Sequence, residues 1–216
     1  MDFLGLYKES IKKDLELRGL KFNDKRIYSF IDFGNVNYWY KKDIKDSDNK
    51  VIPKDKRIVV GIEKLSEFVK AFSIHQRFYY GIDTQDKKSW KITFLAKKYF
   101  KTITKPIQKI KHYLEEKDSQ SLFKNSSYDV AGKYIYIRKC NFDVEICLDA
   151  IRLIDEYDVF CLFSGDADFS CLADYLKKRG KKIVLFSSGY VSHLLKEKAD
   201  VNINAQDIKK YITFIK

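Results

Sequence analysis

Asp32 and Asn35, Asp83, Asp143, and the group Ser164, Asp166 and Asp168 each come directly or within a few residues after a run of β-branched and aromatic residues. If those runs are strands of one parallel sheet, their carboxyl ends lie on a single edge, where ligands of such sheets bind. Carboxylates gathered there repel one another unless cations sit among them, and hard oxygen donors suit magnesium or manganese. Such a centre can bind a phosphodiester, polarise it and activate water for in-line attack. Taken singly, each of these residues is also an ordinary cap for the helix that follows. Caps need not converge, so the joint placement of Asp32, Asp143, Asp166 and Asp168 carries the chemical reading. Asp83, in Asp83-Thr-Gln-Asp86, is the weaker candidate and reads more readily as a turn.

Competing chemistries lack their residues. The chain holds no G-x-x-x-x-G-K-[ST], no G-x-G-x-x-G after its first strand, no G-x-S-x-G and no H-E-x-x-H. His75, His112 and His193 are scattered, and none adjoins a strand-end acid.

The elements that must position these acids follow from hydrophobic periodicity. Residues 2–18 read as an amphipathic helix and 26–31 as a buried strand closed by Asp32, Gly34 and Asn35. A polar loop over 41–57 leads to a helix over 57–72, then a strand over 77–82. Residues 133–138 read as the third strand. A helix over 143–156 carries the stripe Val144, Cys147, Leu148, Ile151 and Ile154. Strands over 159–163, 182–186 and 201–203 alternate with helices over 169–178 and 192–198. This alternation predicts an α/β, Rossmann-like three-layer sandwich, with a mostly parallel sheet of five to six strands covered by helices on both faces.

Composition narrows the partner. Against 30 Asp and Glu stand 42 Lys and Arg, a formal charge of +12, which favours a polyanion over a neutral metabolite. The excess is local: residues 85–125 hold eleven Lys and four acids, +7 of the total. Cys140, Cys147, Cys161 and Cys171 form no C-x-x-C and sit in apolar runs, as buried thiols of a reducing compartment do. Residues 1–20 mix Lys, Glu and Asp into their apolar pattern, unlike a signal peptide, and no apolar run approaches the ~20 residues of a membrane span. A soluble cytoplasmic protein with no membrane partner is expected.

The segments Phe30-Ile-Asp32-Phe-Gly-Asn35, Lys139-Cys-Asn-Phe-Asp143-Val, Asp149-Ala-Ile and Leu162-Phe-Ser-Gly-Asp166-Ala-Asp168-Phe resemble, in order, the LabA-like branch of the NYN domain, within the PIN-like nuclease superfamily. The resemblance covers about residues 26–204. It implies a PIN-like fold and a metal-dependent endoribonuclease using Mg2+ or Mn2+. Asp32 and Asp166 would be metal ligands, Asp143 and Asp168 ligands or holders of a water on the metal, and Asn35 a polar partner of Asp32 or of the scissile phosphate. Ser164 would fix the loop presenting Asp166. Asp149 also matches, though in a helix it lies roughly 9 Å beyond Asp143 along the axis and away from the apolar stripe. A structure-specific DNA nuclease and a catalytically silent nucleic-acid-binding module are the alternatives.

On this reading residues 1–25 are a helical extension, and 26–216 form the nuclease domain with a basic helical insertion at about 87–128. The insertion interleaves Trp90, Phe94, Tyr99, Phe100 and Tyr113 with lysines. Lys91, Lys97, Lys98, Lys101 and Lys105, together with Lys139, are the expected contacts to single-stranded or structured RNA. Packing of the same aromatics on the sheet, or on a second subunit of a homodimer, is the competing expectation.

Overall fold

A computed structural model describes residues 3–22, 25–115, 126–189 and 193–216. The elements are α1 (Phe3–Leu17), β1 (Ile27–Asp32), α2 (Phe33–Val36), β2 (Ile58–Val60), α3 (Ile62–Lys70), β3 (His75–Ile82), α4 (Lys87–Tyr99), β4 (Lys101–Pro106), β5 (Gln108–Tyr113), β6 (Ser127–Asp129) and β7 (Gly132–Lys139). They continue as α5 (Asp143–Arg152), β8 (Val159–Phe163), α6 (Ser170–Lys178), β9 (Lys182–Ser187), α7 (His193–Lys198), β10 (Val201–Asn204), α8 (Ala205–Ile212) and β11 (Thr213–Ile215).

The central sheet has six strands in the order β10-β9-β8-β1-β3-β4. Every pairing in it is parallel. Such strands are buried on both faces, and successive side chains divide between two cores. From β8, Val159, Cys161 and Phe163 enter one core with α1, α2, α3 and α8. Phe160 and Leu162 enter the other with α5, α6 and α7. The expected three-layer α/β architecture is therefore present.

The chain builds outward from β1 through β3 to β4, then returns to build β8, β9 and β10 on the other side. The order thus reverses between β1 and β8, and a crevice opens at their carboxyl ends.

Several expectations are corrected. The strand over 133–138 is not in the central sheet; it is most of β7, the middle strand of a separate antiparallel sheet, β5-β7-β6. Lys133, Arg138 and Lys139 would have to be buried in a parallel sheet, whereas in this arm they are exposed. The edge place beside β3 goes to β4, whose Thr102, Ile103 and Thr104 suit a strand. The basic segment is helical only to Tyr99 and continues as β4 and β5; its residues 116–125 lie outside the described residues.

The helix expected from 57 begins at Ile62, because Ile58–Val60 pairs with β11 as a two-stranded sheet. The stripe on α5 also faces largely outward, with only Cys147 and Ile154 resting on the core. Ile146 and Ala150 are the buried positions, while Val144 is 68% exposed, and Leu148 and Ile151 are exposed as well. All four cysteines are free, but only Cys161 is buried and Cys171 is exposed. Among the described residues no helix is long and apolar enough to cross a membrane.

Candidate metal centre

Asp32 is the last residue of β1, and its carboxylate accepts a hydrogen bond from the Asn35 backbone N–H at 3.3 Å, capping the single turn of α2. Gly34 leaves room for that carboxylate, since a Cβ there would stand 3.1 Å from Asp32 Oδ1. The side-chain oxygen of Asn35 accepts from Trp39 Nε1 at 2.9 Å, so Asn35 is held by its own loop.

Across the crevice, β8 ends at Phe163 and is followed by the fully buried Ser164. Ser164 Oγ donates to Asp32 Oδ2 at 3.5 Å and accepts from the Asp166 N–H at 3.3 Å. One hydroxyl thus ties the two strand-end loops together. Asp166 in turn accepts from the Asp168 N–H at 3.1 Å, opening the 3-10 turn Ala167–Phe169. The caps are real, yet they do not exhaust the site.

Carboxylate oxygens of Asp143, Asp166 and Asp168 lie within 4.8 Å of one another. Oxygen ligands of one Mg2+ or Mn2+ at about 2.0–2.5 Å must stand within about 4–5 Å of each other, so the donor set and its spacing fit such a cation. Asp32 stands outside that set of three and is coupled to it through Ser164 and through charge. Burial, with the negative charges of Asp143 and Asp166, pushes its carboxyl up to about 6 against the hydrogen bonds from the α2 turn. Asp143 is raised for the same reasons, chiefly burial and then the charges of Asp166 and Asp168, against a hydrogen bond from Asn141.

The remaining expected residues separate into near and far. Asp149 does not join the cluster: it accepts from Arg77 Nη1 at 2.6 Å and Tyr79 OH at 2.8 Å, bracing α5 against β3. Asp83 is buried, caps its own turn through Gln85 N–H, and is neutralised by Arg138 at 2.7 Å. Lys91 lines the same cleft as Asp32. Lys105 lies near the centre, paired with Glu145 at 2.6 Å and over the Phe142 ring. Lys139 ends β7. Lys97 and Lys98, in the last turn of α4, and Lys101, which opens β4, sit at the amino-terminal end of the strands, away from the carboxylates.

Two contributors escaped the sequence reading. Asn141 accepts from the Asp143 N–H at 2.7 Å and so sets the loop that presents this acid. Its signal was present, an Asn two residues before an Asp that opens a helix. Gly81, inside β3, had none. A Cβ there would lie 2.7 Å from both Cβ and Sγ of Cys140, so the loop carrying Asp143 crosses β3 only because position 81 has no side chain.

Gly81→Ala is therefore expected to destabilise the protein by about 1–3 kcal/mol and to displace the 140–143 loop. Combining it with Cys140→Gly should recover part of the loss. A double-mutant cycle from urea unfolding checks this, and strictly additive losses would show that the close approach does not constrain either segment.

The chain is similar to known proteins in family and fold. A family model of the NYN domain matches residues 26–206. "Low amplitude and bright protein LabA" of Synechococcus elongatus is 30% identical over 86 residues, 39% of this chain, and the chain spans just under half, 46%, of that relative's length. A crystal structure of a protein of unknown function from Vibrio parahaemolyticus shares the fold, with a TM-score of 0.58 at 20% identity over 90% of this chain and 100% of the other.

Proposed function

Because the chain belongs to the NYN domain family, we propose that it is a metal-dependent endoribonuclease acting on RNA in the cytoplasm. The observation that carries this reading is the trio Asp143, Asp166 and Asp168, with oxygens within 4.8 Å of one another, at the crevice where the sheet order reverses. The matched length of the LabA relative supports the family reading; the activity and its substrate are inferred from the site.

In this reading Asp143, Asp166 and Asp168 would hold a Mg2+ or Mn2+ ion, with Asp32 tied to Asp166 through Ser164. Bound there, the ion supplies Lewis-acid polarisation of a phosphodiester and lowers the pKa of water. The protein does the rest. Ser164 keeps Asp32 and Asp166 in register, and Asn141 fixes Asp143. Asn35 closes the α2 turn against the Asp32 carboxylate. Basic residues lining the cleft that opens at Asp32, Lys41, Arg57, Lys88 and Lys91 among them, attract a phosphate backbone toward that side of the site.

Purified protein should cleave a labelled single-stranded RNA in Mg2+ or Mn2+, should cut the matching DNA more slowly, and should lose activity in EDTA and in Asp166→Asn. Preference for the deoxy strand would favour a DNA nuclease. Binding without cleavage under any divalent cation would make it a nucleic-acid-binding module.

A further inference from the structure

The antiparallel arm β5-β7-β6 carries a row of tyrosines on one of its faces. Strand pairing sets Lys109 opposite Arg138, Lys111 opposite Tyr136, and Tyr113 opposite Tyr134, so these six residues share one face. Ile110, Ile135 and Ile137 share the other with His112 and Lys139, and with Lys133 and Tyr128 toward β6. Cations occur on both faces, but the row of three tyrosines and the isoleucines are kept on opposite sides.

The rings form a row across two strands. Tyr113 and Tyr134 have centroids 6.0 Å apart, and Tyr134 and Tyr136 are 5.6 Å apart, edge to face. Lys111 lies over the Tyr134 ring, 3.9 Å from its centroid, and is also paired with Asp129, which holds the row in place. Tyr136 is left 56% exposed and Tyr113 is exposed as well. The row does not end in open solvent. At its root, Arg138 reaches Asp83 and Lys109 reaches Gln85. Arg138 and Asp83 line the same cleft of about 940 Å3 that contains Asp32 and Asn35.

We infer that this face of the arm is a platform for single-stranded RNA, on which bases stack against Tyr113, Tyr134 and Tyr136 while Lys109 and Arg138 hold the backbone as it enters the cleft. Exposed rings recognise unstacked bases and are indifferent to sequence, and cations beside them supply phosphate contacts. A duplex, with its bases stacked internally, offers the rings nothing, so the platform selects unpaired strands. The inference rests on the nuclease reading for where the strand leads, but not for the binding itself.

The test is fluorescence anisotropy in EDTA with a fluorescein-labelled single-stranded RNA of mixed sequence and the same RNA as a duplex. Wild type should bind the single strand more tightly. Tyr134→Ala with Tyr136→Ala should weaken single-strand binding about 10- to 100-fold and leave the salt dependence unchanged. The two Tyr→Phe changes should retain binding, which separates the rings from the fold of the arm. Lys109→Ala should lower the salt slope by about 0.7 log units per log salt. Single-strand binding unaltered in the double Ala variant, equal binding of the duplex, or Phe variants as weak as Ala variants would each overturn the platform. Wild-type binding without metal-dependent cleavage would instead count against the nuclease reading alone.

Discussion

Asp32→Asn is expected to make the metal-free protein more stable and, in the same molecule, a poorer nuclease. The Asp32 carboxyl is pushed up to about 6 by burial and by its acidic neighbours. An aspartate raised in the folded state contributes most below its unfolded value, near 3.8, and that contribution is lost as pH rises through about 6. At neutral pH ionised Asp32 therefore destabilises the metal-free fold, by about 1–3 kcal/mol at the limit. Asn keeps the size, and its side-chain oxygen can still accept from the α2 turn, while the charge is gone. Urea unfolding in EDTA should show the variant gaining on wild type between pH 4 and 7, with little difference at the acid end. Cleavage in Mn2+ should fall roughly 10- to 100-fold, as it does when a group supporting a metal site is removed. A variant less stable than wild type at neutral pH would mean that Asp32 is not strained by its surroundings.

The second large effect is expected far from the centre. Ile11→Ala and Leu15→Ala should each cost about 2–5 kcal/mol, and removing residues 1–25 should abolish cooperative unfolding. Ile11 is 0% and Leu15 1% exposed, in the same core as Phe68 and Ile208. Tyr211 OH donates to Asp14 at 2.5 Å, Arg18 pairs with Asp207 at 3.1 Å, and the Tyr7 and Tyr211 rings meet edge to face. Residues before the family match thus complete a core that the family match alone would leave open. Losses below about 1 kcal/mol on chemical denaturation would make α1 a mere appendage.

What could be read from the sequence was what repeats locally. β1, β8 and β9 announce themselves as unbroken apolar runs, since parallel strands are covered on both faces, and the acids after β1 and β8 fall where that sheet must open. Partner choice between strands leaves no such mark. Lys133 to Arg138 has strand chemistry; its terminal cations speak against a parallel sheet, yet nothing in it says which strands it joins or that Lys101–Pro106 takes the edge. The α5 stripe misleads because periodicity reports that a helix has an apolar face, not that the face is covered; Ile146 and Ala150 turn inward and Val144 does not. The closing α8 and β11 went unread, although Ile208, Tyr211 and Ile212 fall at helical spacing. Gly81 and Cys140 constrain each other across a long stretch of chain, beyond any local pattern.

The arm's attachment limits how such a protein can be altered or inherited. β4 passes into β5 across Ile107 alone, and β7 returns to Asp143 across Cys140, Asn141 and Phe142, with Cys140 seated on Gly81. No slack separates the arm from a residue of the acidic centre, so the arm is not a cassette. Chimaeras between relatives must exchange residues 101–143 as one block, with position 81 matched to the incoming residue at 140. A change in the arm's length is tolerable only at its tip, where β6 and β7 meet, because a change at its root would move Asp143.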